Sequence, residues 1–121
     1  MVILNKNLDN MTQEEKELLI KDLCARLPYG VVVKDRNGVH ILTSGNTEFI
    51  DLFNGKCNIK PYLFPLSNMT EEQLLELSSI SFENSIDSSI KTLNWCYKNH
   101  LDINNLIPMG LANDCTNLNV Y

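Results

Sequence analysis

Lys60-Pro61-Tyr62-Leu63-Phe64-Pro65-Leu66-Ser67-Asn68-Met69-Thr70-Glu71-Glu72-Gln73 divides the chain into two textures. Two prolines in six residues exclude a regular helix and a central strand, so 60–67 reads as an extended, apolar connector. Thr70 and Gln73 then form a capping box, and Met69 is placed to pack on Leu74 as a hydrophobic staple. Leu74, Leu77 and Ile80 mark the buried side of the helix they open, which is expected to end near Ile80. A further helix is expected from Ile86 to Asn99, capped by Ser85. Ile86, Ile90, Leu93 and Tyr97 give it a one-face apolar stripe, with Cys96 beside the stripe and Trp95 off it. Asp102 starts a short helical turn through Leu106, ended by Pro108 and Gly110. Residues 113–121 are Asn-rich and expected to be loose, as are residues 1–11.

Upstream of the connector, Thr12 and Glu15 form another capping box. Leu19, Ile20, Leu23, Cys24 and Leu27 recur at helical spacing over Thr12 to Leu27. Glu17–Lys21 and Asp22–Arg26 are i,i+4 pairs with the acid first, the pattern of a solvated face. Pro28 and Gly30 end this helix. Val31 to Val33 and Val39 to Leu42 are β-rich runs joined by Asp35-Arg36-Asn37-Gly38, a hairpin turn. A second turn at Ser44-Gly45-Asn46 leads to a strand over Glu48 to Phe53. Asn54-Gly55 then leads to another over Lys56 to Ile59. The expected architecture is α+β in a single domain, 1–121. It has an N-terminal helix, a small curved antiparallel sheet of three to four strands (SH3-like in closure), two C-terminal helices and a terminal helical turn.

Size and composition agree with one globular unit: 121 residues, 44% hydrophobic and 21% charged. No apolar run is long enough to span a bilayer, and the short apolar start is too brief for a signal peptide, which points to the cytoplasm. The net charge of −5 is carried entirely by residues 61–121, where Lys91 and Lys98 face seven acids. That balance argues against a general nucleic-acid binder, although Lys34, Arg36, Lys56 and Lys60 leave room for a small basic patch on the sheet.

Motifs that carry chemistry are sparse. Cys24, Cys57, Cys96 and Cys115 have no metal-ligand or redox spacing and read as small hydrophobes. His40 lies mid-strand as a surface-facing or satisfied polar position, and His100 sits at a helix end, where a cation suits the dipole. Glu14/Glu15 and Glu71/Glu72 occupy first helical turns for the same reason. No catalytic, cofactor or metal residues are assigned, and no cofactor is expected. An enzyme would need a scattered site; for a small hydrolase or thiol enzyme, Cys57 and His40 are the pair that would have to meet. Tyr62, Phe64 and Trp95 are the candidates for partner contact, because aromatics dominate binding hot spots. The competing reading places them in the core.

Three segments carry a family resemblance: Lys60 to Gln73, Asp22 to Val31 (DLCARLPYGV), and Trp95 to Ala112, with Asn99-His100-Leu101-Asp102 and Gly110-Leu111-Ala112. Together they resemble small uncharacterised proteins of phages, prophages and related mobile elements of gut Bacteroides-type bacteria, over most of residues 12–112. The chain departs from that pattern between Ser44 and Cys57, where the family has a more regular, acid-rich strand pair. The resemblance brings no functional residues with it. Sparse chemistry, modest size, the proline-stiffened aromatic connector and the resemblance together lead to the expectation of a non-enzymatic protein-binding or adaptor protein of a phage or mobile element. A weak nucleic-acid-associating accessory protein is the alternative.

Overall fold

The structure, a computed structural model, describes residues 11–54, 59–81 and 86–121. Helix α1, Gln13–Arg26, begins as its capping box dictates. The Glu15 amide donates to the Thr12 hydroxyl at 3.1 Å, and the Thr12 amide donates to the Glu15 carboxylate at 3.0 Å. Leu19 and Leu23 are fully buried. A 3₁₀ turn, Leu27–Tyr29, and Gly30 in the left-handed region (φ 73) release the chain from the helix. Strands β1, Val32–Asp35, and β2, Gly38–Ile41, form the expected hairpin, with Val33 opposite His40 and Lys34 opposite Val39. The Asn37 amide donates to the Asp35 carboxylate at 2.8 Å, and Gly38 takes φ 105.

The next segment corrects the strand expected over Glu48 to Phe53: it is helix α2, Thr47–Phe53. Asn46 caps it, accepting from the Phe49 amide at 2.7 Å. Phe49 and Leu52, three residues apart, enter the core while Ile50 and Phe53 stay outside. The strand expected over Lys56 to Ile59 lies mostly outside the described residues.

The connector holds a second correction. Lys60–Leu63 is strand β3, and it is central: the strand order is β2-β1-β3-β4, with β4 at Asn113–Asp114. Pro61 is tolerated because β3 shares its pairing between its two ends. Its first half pairs antiparallel with β1, through Lys60 and Pro61, and its second half pairs parallel with β4, through Tyr62 and Leu63. The missing proline N–H therefore falls outside the β4 ladder. A parallel bridge from Phe64 to Leu101 prolongs the strand. The sheet is mixed and open, so neither an all-antiparallel meander nor an SH3-like closure describes it. Among the described residues the fold is α+β, with four α-helices and this four-stranded sheet.

Helix α3, Glu71–Ser81, starts on the predicted box: the Gln73 amide donates to Thr70 Oγ1 at 3.1 Å, and the Thr70 amide to Gln73 Oε1 at 3.0 Å. Met69 packs on the Trp95 cluster, and Leu74, expected on the buried side of the helix, is half exposed. Helix α4, Ile86–Lys98, ends in a Schellman pattern. The His100 amide donates to the Tyr97 carbonyl and the Leu101 amide to that of Cys96, with His100 at φ 59 where glycine is usual. The Ser85 cap lies outside the described residues.

Beyond α4 the chain forms turns in place of the expected helical turn. Both Asp102 carboxylate oxygens accept backbone amides, from Leu106 at 2.8 Å and Ile107 at 2.9 Å. Residues 113–121 are not loose. β4 extends the sheet, Cys115 is fully buried, and the Tyr121 hydroxyl donates to the Tyr62 carbonyl at 2.7 Å while accepting the Val32 amide at 2.9 Å.

The sheet's alternation sorts two of three apolar clusters. Val33 and Leu63 join Leu19, Leu23, Phe49, Leu52, Leu106 and Leu111 in the main core. Val32 and Tyr62 join Cys115 and Val120 in a second cluster. A third, around Trp95, Cys96 and Leu101, takes Phe64, Met69, Leu77 and Ile80 and holds α3 and α4 together.

Candidate functional site

Asp22 and Arg26 overturn the solvated-face expectation: both side chains are 0% exposed. They lie on the same side of α1 as Leu19 and Leu23, so that side carries an ion pair inside an apolar stripe. Arg26 donates to Asp22 at 2.7 Å and 3.1 Å and to the Leu101 carbonyl at 2.7 Å. Asn104 donates to Asp22 at 2.8 Å, and the Tyr97 ring lies 5.0 Å from the guanidinium carbon. This network joins α1 to the end of α4 and to the loop after it. Arg26 Nη1 is buried with no hydrogen-bond partner among the described residues, while Nε, Nη2 and the Asp22 carboxylate are committed to structure, which makes the network a brace.

His100 and Tyr121 stack at 3.6 Å between centroids beside this brace. Burial, reinforced by the charge of Arg26, pushes the His100 pKa down to about 4. His100 is therefore neutral at pH 7 and is not the helix-end cation that the sequence suggested.

His40 forms a different cluster. Its Nε2 lies 2.7 Å from Asp35 Oδ2, its Nδ1 is 3.2 Å from the Ile41 carbonyl, and Asn46 reaches Asp35 at 3.3 Å. The hydrogen bond to Asp35 raises the His40 pKa against its partial burial. Burial pushes the Asp35 carboxyl up, yet the bonds from His40, Asn37 and Asn46 outweigh it and hold the pKa below the usual value. Both imidazole nitrogens face acceptors, so the ring favours the protonated state and has no free lone pair for a general base. Cys57, its conceivable nucleophilic partner, lies outside the described residues. Among those residues no group of three or more His, Cys, Asp or Glu could hold a metal ion.

Of the basic residues, Lys34 and Lys60 are register neighbours across β1 and β3, and burial lowers the Lys60 pKa. Arg36 lies 3.8 Å from Glu48, and Lys56 falls outside the described residues. The aromatic candidates are mostly internal. Tyr62 and Trp95 are each 7% exposed and Phe64 is half-buried between two clusters, so the three form no outward patch.

Outward apolar side chains occur on β2 and α2, at Val39, Ile41, Ile50 and Phe53, and as a regular stripe on α4. At 3.6 residues per turn, Ile86, Ile90, Leu93 and Tyr97 fall within about 60° of arc, and Ser88, Thr92, Trp95 and Asn99 lie about 160° away. The second set faces the protein: Ser88 and Trp95 are buried, Thr92 and Asn99 half-buried. The more apolar set faces water, with Ile86 81%, Ile90 52% and Leu93 50% exposed; Tyr97, over Arg26, is the most covered of the four. The stripe that read as the buried face of α4 is thus its outer face. On α3, Leu74 and Leu75 are exposed as well.

Comparison with protein-family models, with curated proteins and with solved structures found no match. Among the described residues no helix is long and apolar enough to cross a membrane.

Proposed function

We propose that this chain is a non-enzymatic protein-binding or adaptor module, working in the cytoplasm of a bacterium that carries a phage or mobile element. The observation that carries the reading is the solvent-facing apolar stripe of α4. Three large aliphatic side chains at helical spacing, on the face opposite the packed one, form the kind of surface that helix-to-groove and helix-to-helix contacts use. The resemblance over residues 12–112 supplies the phage or mobile-element setting. The test is differential capture: immobilised wild type and Ile90→Asp are exposed to lysate of an infected or element-bearing host. Proteins retained by the wild type and lost by the variant support the reading; identical retention sets it aside.

A second reading, weak nucleic-acid association, draws on the juxtaposition of Lys34 and Lys60. Two adjacent cations would neutralise at most about two phosphates, giving weak binding with a shallow salt dependence. A labelled single or double strand that shows no shift even at low salt disposes of it.

A further inference from the structure

We infer that the α4 stripe is a self-association surface on which a second copy of this chain packs antiparallel, α4 against α4. The inference rests on the protein-binding reading and names the occupant of the same face. Three features select a second copy.

The spacing comes first. Ile86, Ile90, Leu93 and Tyr97 follow a 4-3-4 pattern, the a/d alternation of a coiled-coil seam, in which each side chain enters a gap between residues of a like helix. A twofold axis between residues 91 and 92 sets Ile90 against Leu93 of the second copy, and Leu93 against its Ile90. The same sequence then supplies knob and hole on both sides, as an isologous contact requires.

Charge chooses the direction. Asp87, Lys91, Asn94 and Lys98 line one flank of the seam, with the acid at the N-terminal end and Lys98 at the C-terminal end. A parallel pair, whose twofold runs along the seam, would put these flanks on opposite sides and leave Asp87 no lysine of the second copy to meet. The antiparallel pair brings Asp87 near Lys98 of the second copy, twice, and opposes the helix dipoles favourably. The two Lys91 chains come nearest the axis, at the rim, where their stems cover the seam and their heads reach water.

Area sets the strength. Ile86, Ile90 and Leu93 leave on the order of 350 Å² uncovered per copy. Counted on both copies, these three side chains offer about 700 Å², below the roughly 1,200 Å² at which standard specific interfaces begin and in the range of weak, transient contacts. The consequence is a weak, reversible dimer, monomeric when dilute.

Analytical ultracentrifugation of the full chain from about 1 to 300 μM tests this. Wild type is expected to pass from monomer to dimer. Ile90→Asp and Leu93→Asp, both at exposed positions and checked by circular dichroism for an intact fold, should weaken association at least tenfold. Asp87→Lys should weaken it several-fold, and Asp87→Lys with Lys98→Asp should restore it. A wild type that stays monomeric throughout, or association that Ile90→Asp leaves unchanged, overturns the inference. If the wild type is monomeric yet Ile90→Asp abolishes capture of other proteins, self-association falls while the protein-binding reading stands.

Discussion

Asp22→Ala is the substitution on which the internal architecture depends most. It removes a carboxylate that accepts two bonds from Arg26 and one from Asn104, all within a fully buried site. The guanidinium left behind keeps the Leu101 carbonyl and the Tyr97 ring but has no counter-charge. Breaking one side of a buried ion pair costs about 3–5 kcal/mol. A chain of 121 residues has a total stability of about 6–18 kcal/mol, so the loss is a large share of it. The melting temperature should fall by roughly 10–20 °C. An exposed i,i+4 pair would contribute only about 0.3–0.5 kcal/mol. Urea unfolding followed by the fluorescence of Trp95, the sole tryptophan, separates these cases. The double change Asp22→Leu with Arg26→Met, which removes both charges and keeps the volume, should recover most of the loss. A loss below about 1 kcal/mol for Asp22→Ala would refute the brace.

Three further outcomes are expected. Tyr121→Phe removes both hydrogen bonds that tie the tail to β1 and β3 and should destabilise the fold by about 1–3 kcal/mol in the same urea assay; in the wild type, burial keeps the phenol protonated well past its ordinary pKa of 10, which a spectrophotometric titration reads directly. Stability should respond to the two histidines in opposite ways. The His100 pKa falls from 6.5 to about 4, so the unfolded chain takes up the proton first and stability declines as pH drops from about 6.5 towards 4. The His40 pKa is raised above 6.5, so its contribution is complete below 6.5 and fades as pH rises through the raised value. Asp35, lowered below 3.8, contributes above 3.8 and loses that contribution on further acidification. His100→Asn, which tolerates the left-handed backbone, should flatten the decline between pH 6.5 and 4 in a urea series. Among the described cysteines, Cys24 is exposed while Cys96 and Cys115 are buried, and burial pushes the Cys115 thiol up to about 11. Thiol labelling with peptide mapping should therefore find Cys24 modified in the native state and the other two only after denaturation.

Local signals in the sequence mapped well onto local structure. Both capping boxes, the Asn37-Gly38 hairpin and the stop at Pro28–Gly30 involve residues within a few positions of one another, where backbone chemistry decides. The misreadings share a different origin. In Thr47 to Phe53 a six-residue apolar and acidic run satisfies strand and helix patterns alike, and only the Asn46 side chain reaching the Phe49 amide tips it to helix. Pro61 argues against a central strand by a rule that assumes pairing along both full edges; β3 pairs on each side over only part of its length. Asp22–Arg26 looks the same in sequence whether water or α4 covers it, because burial depends on Leu101 and Asn104, far along the chain. The α4 stripe shows the same gap. Periodicity identified Ile86, Ile90 and Leu93 as one face but carried no information on whether their own chain covers it. The aromatic candidates failed as a patch for a related reason, since Tyr62 and Trp95 are the large side chains that fill the second and third clusters.

The ties across the sheet and the brace also set an order of events. Arg26 waits for a carbonyl 75 residues later in the chain, the Val32 amide for a hydroxyl 89 residues later, and the Tyr62 carbonyl for one 59 residues later. A nascent polypeptide emerging from the ribosome therefore holds α1 and β1 for most of its synthesis, and β3 for about half of it, with an ion pair and strand groups that have nothing to close on. Contacts of such sequence separation slow folding and put it near the end of translation. Fragments stopping short of Leu101 would expose the Asp22–Arg26 side of α1 to water, presenting a degradation target to proteases, and cutting between α3 and α4 should give two pieces that acquire structure only together.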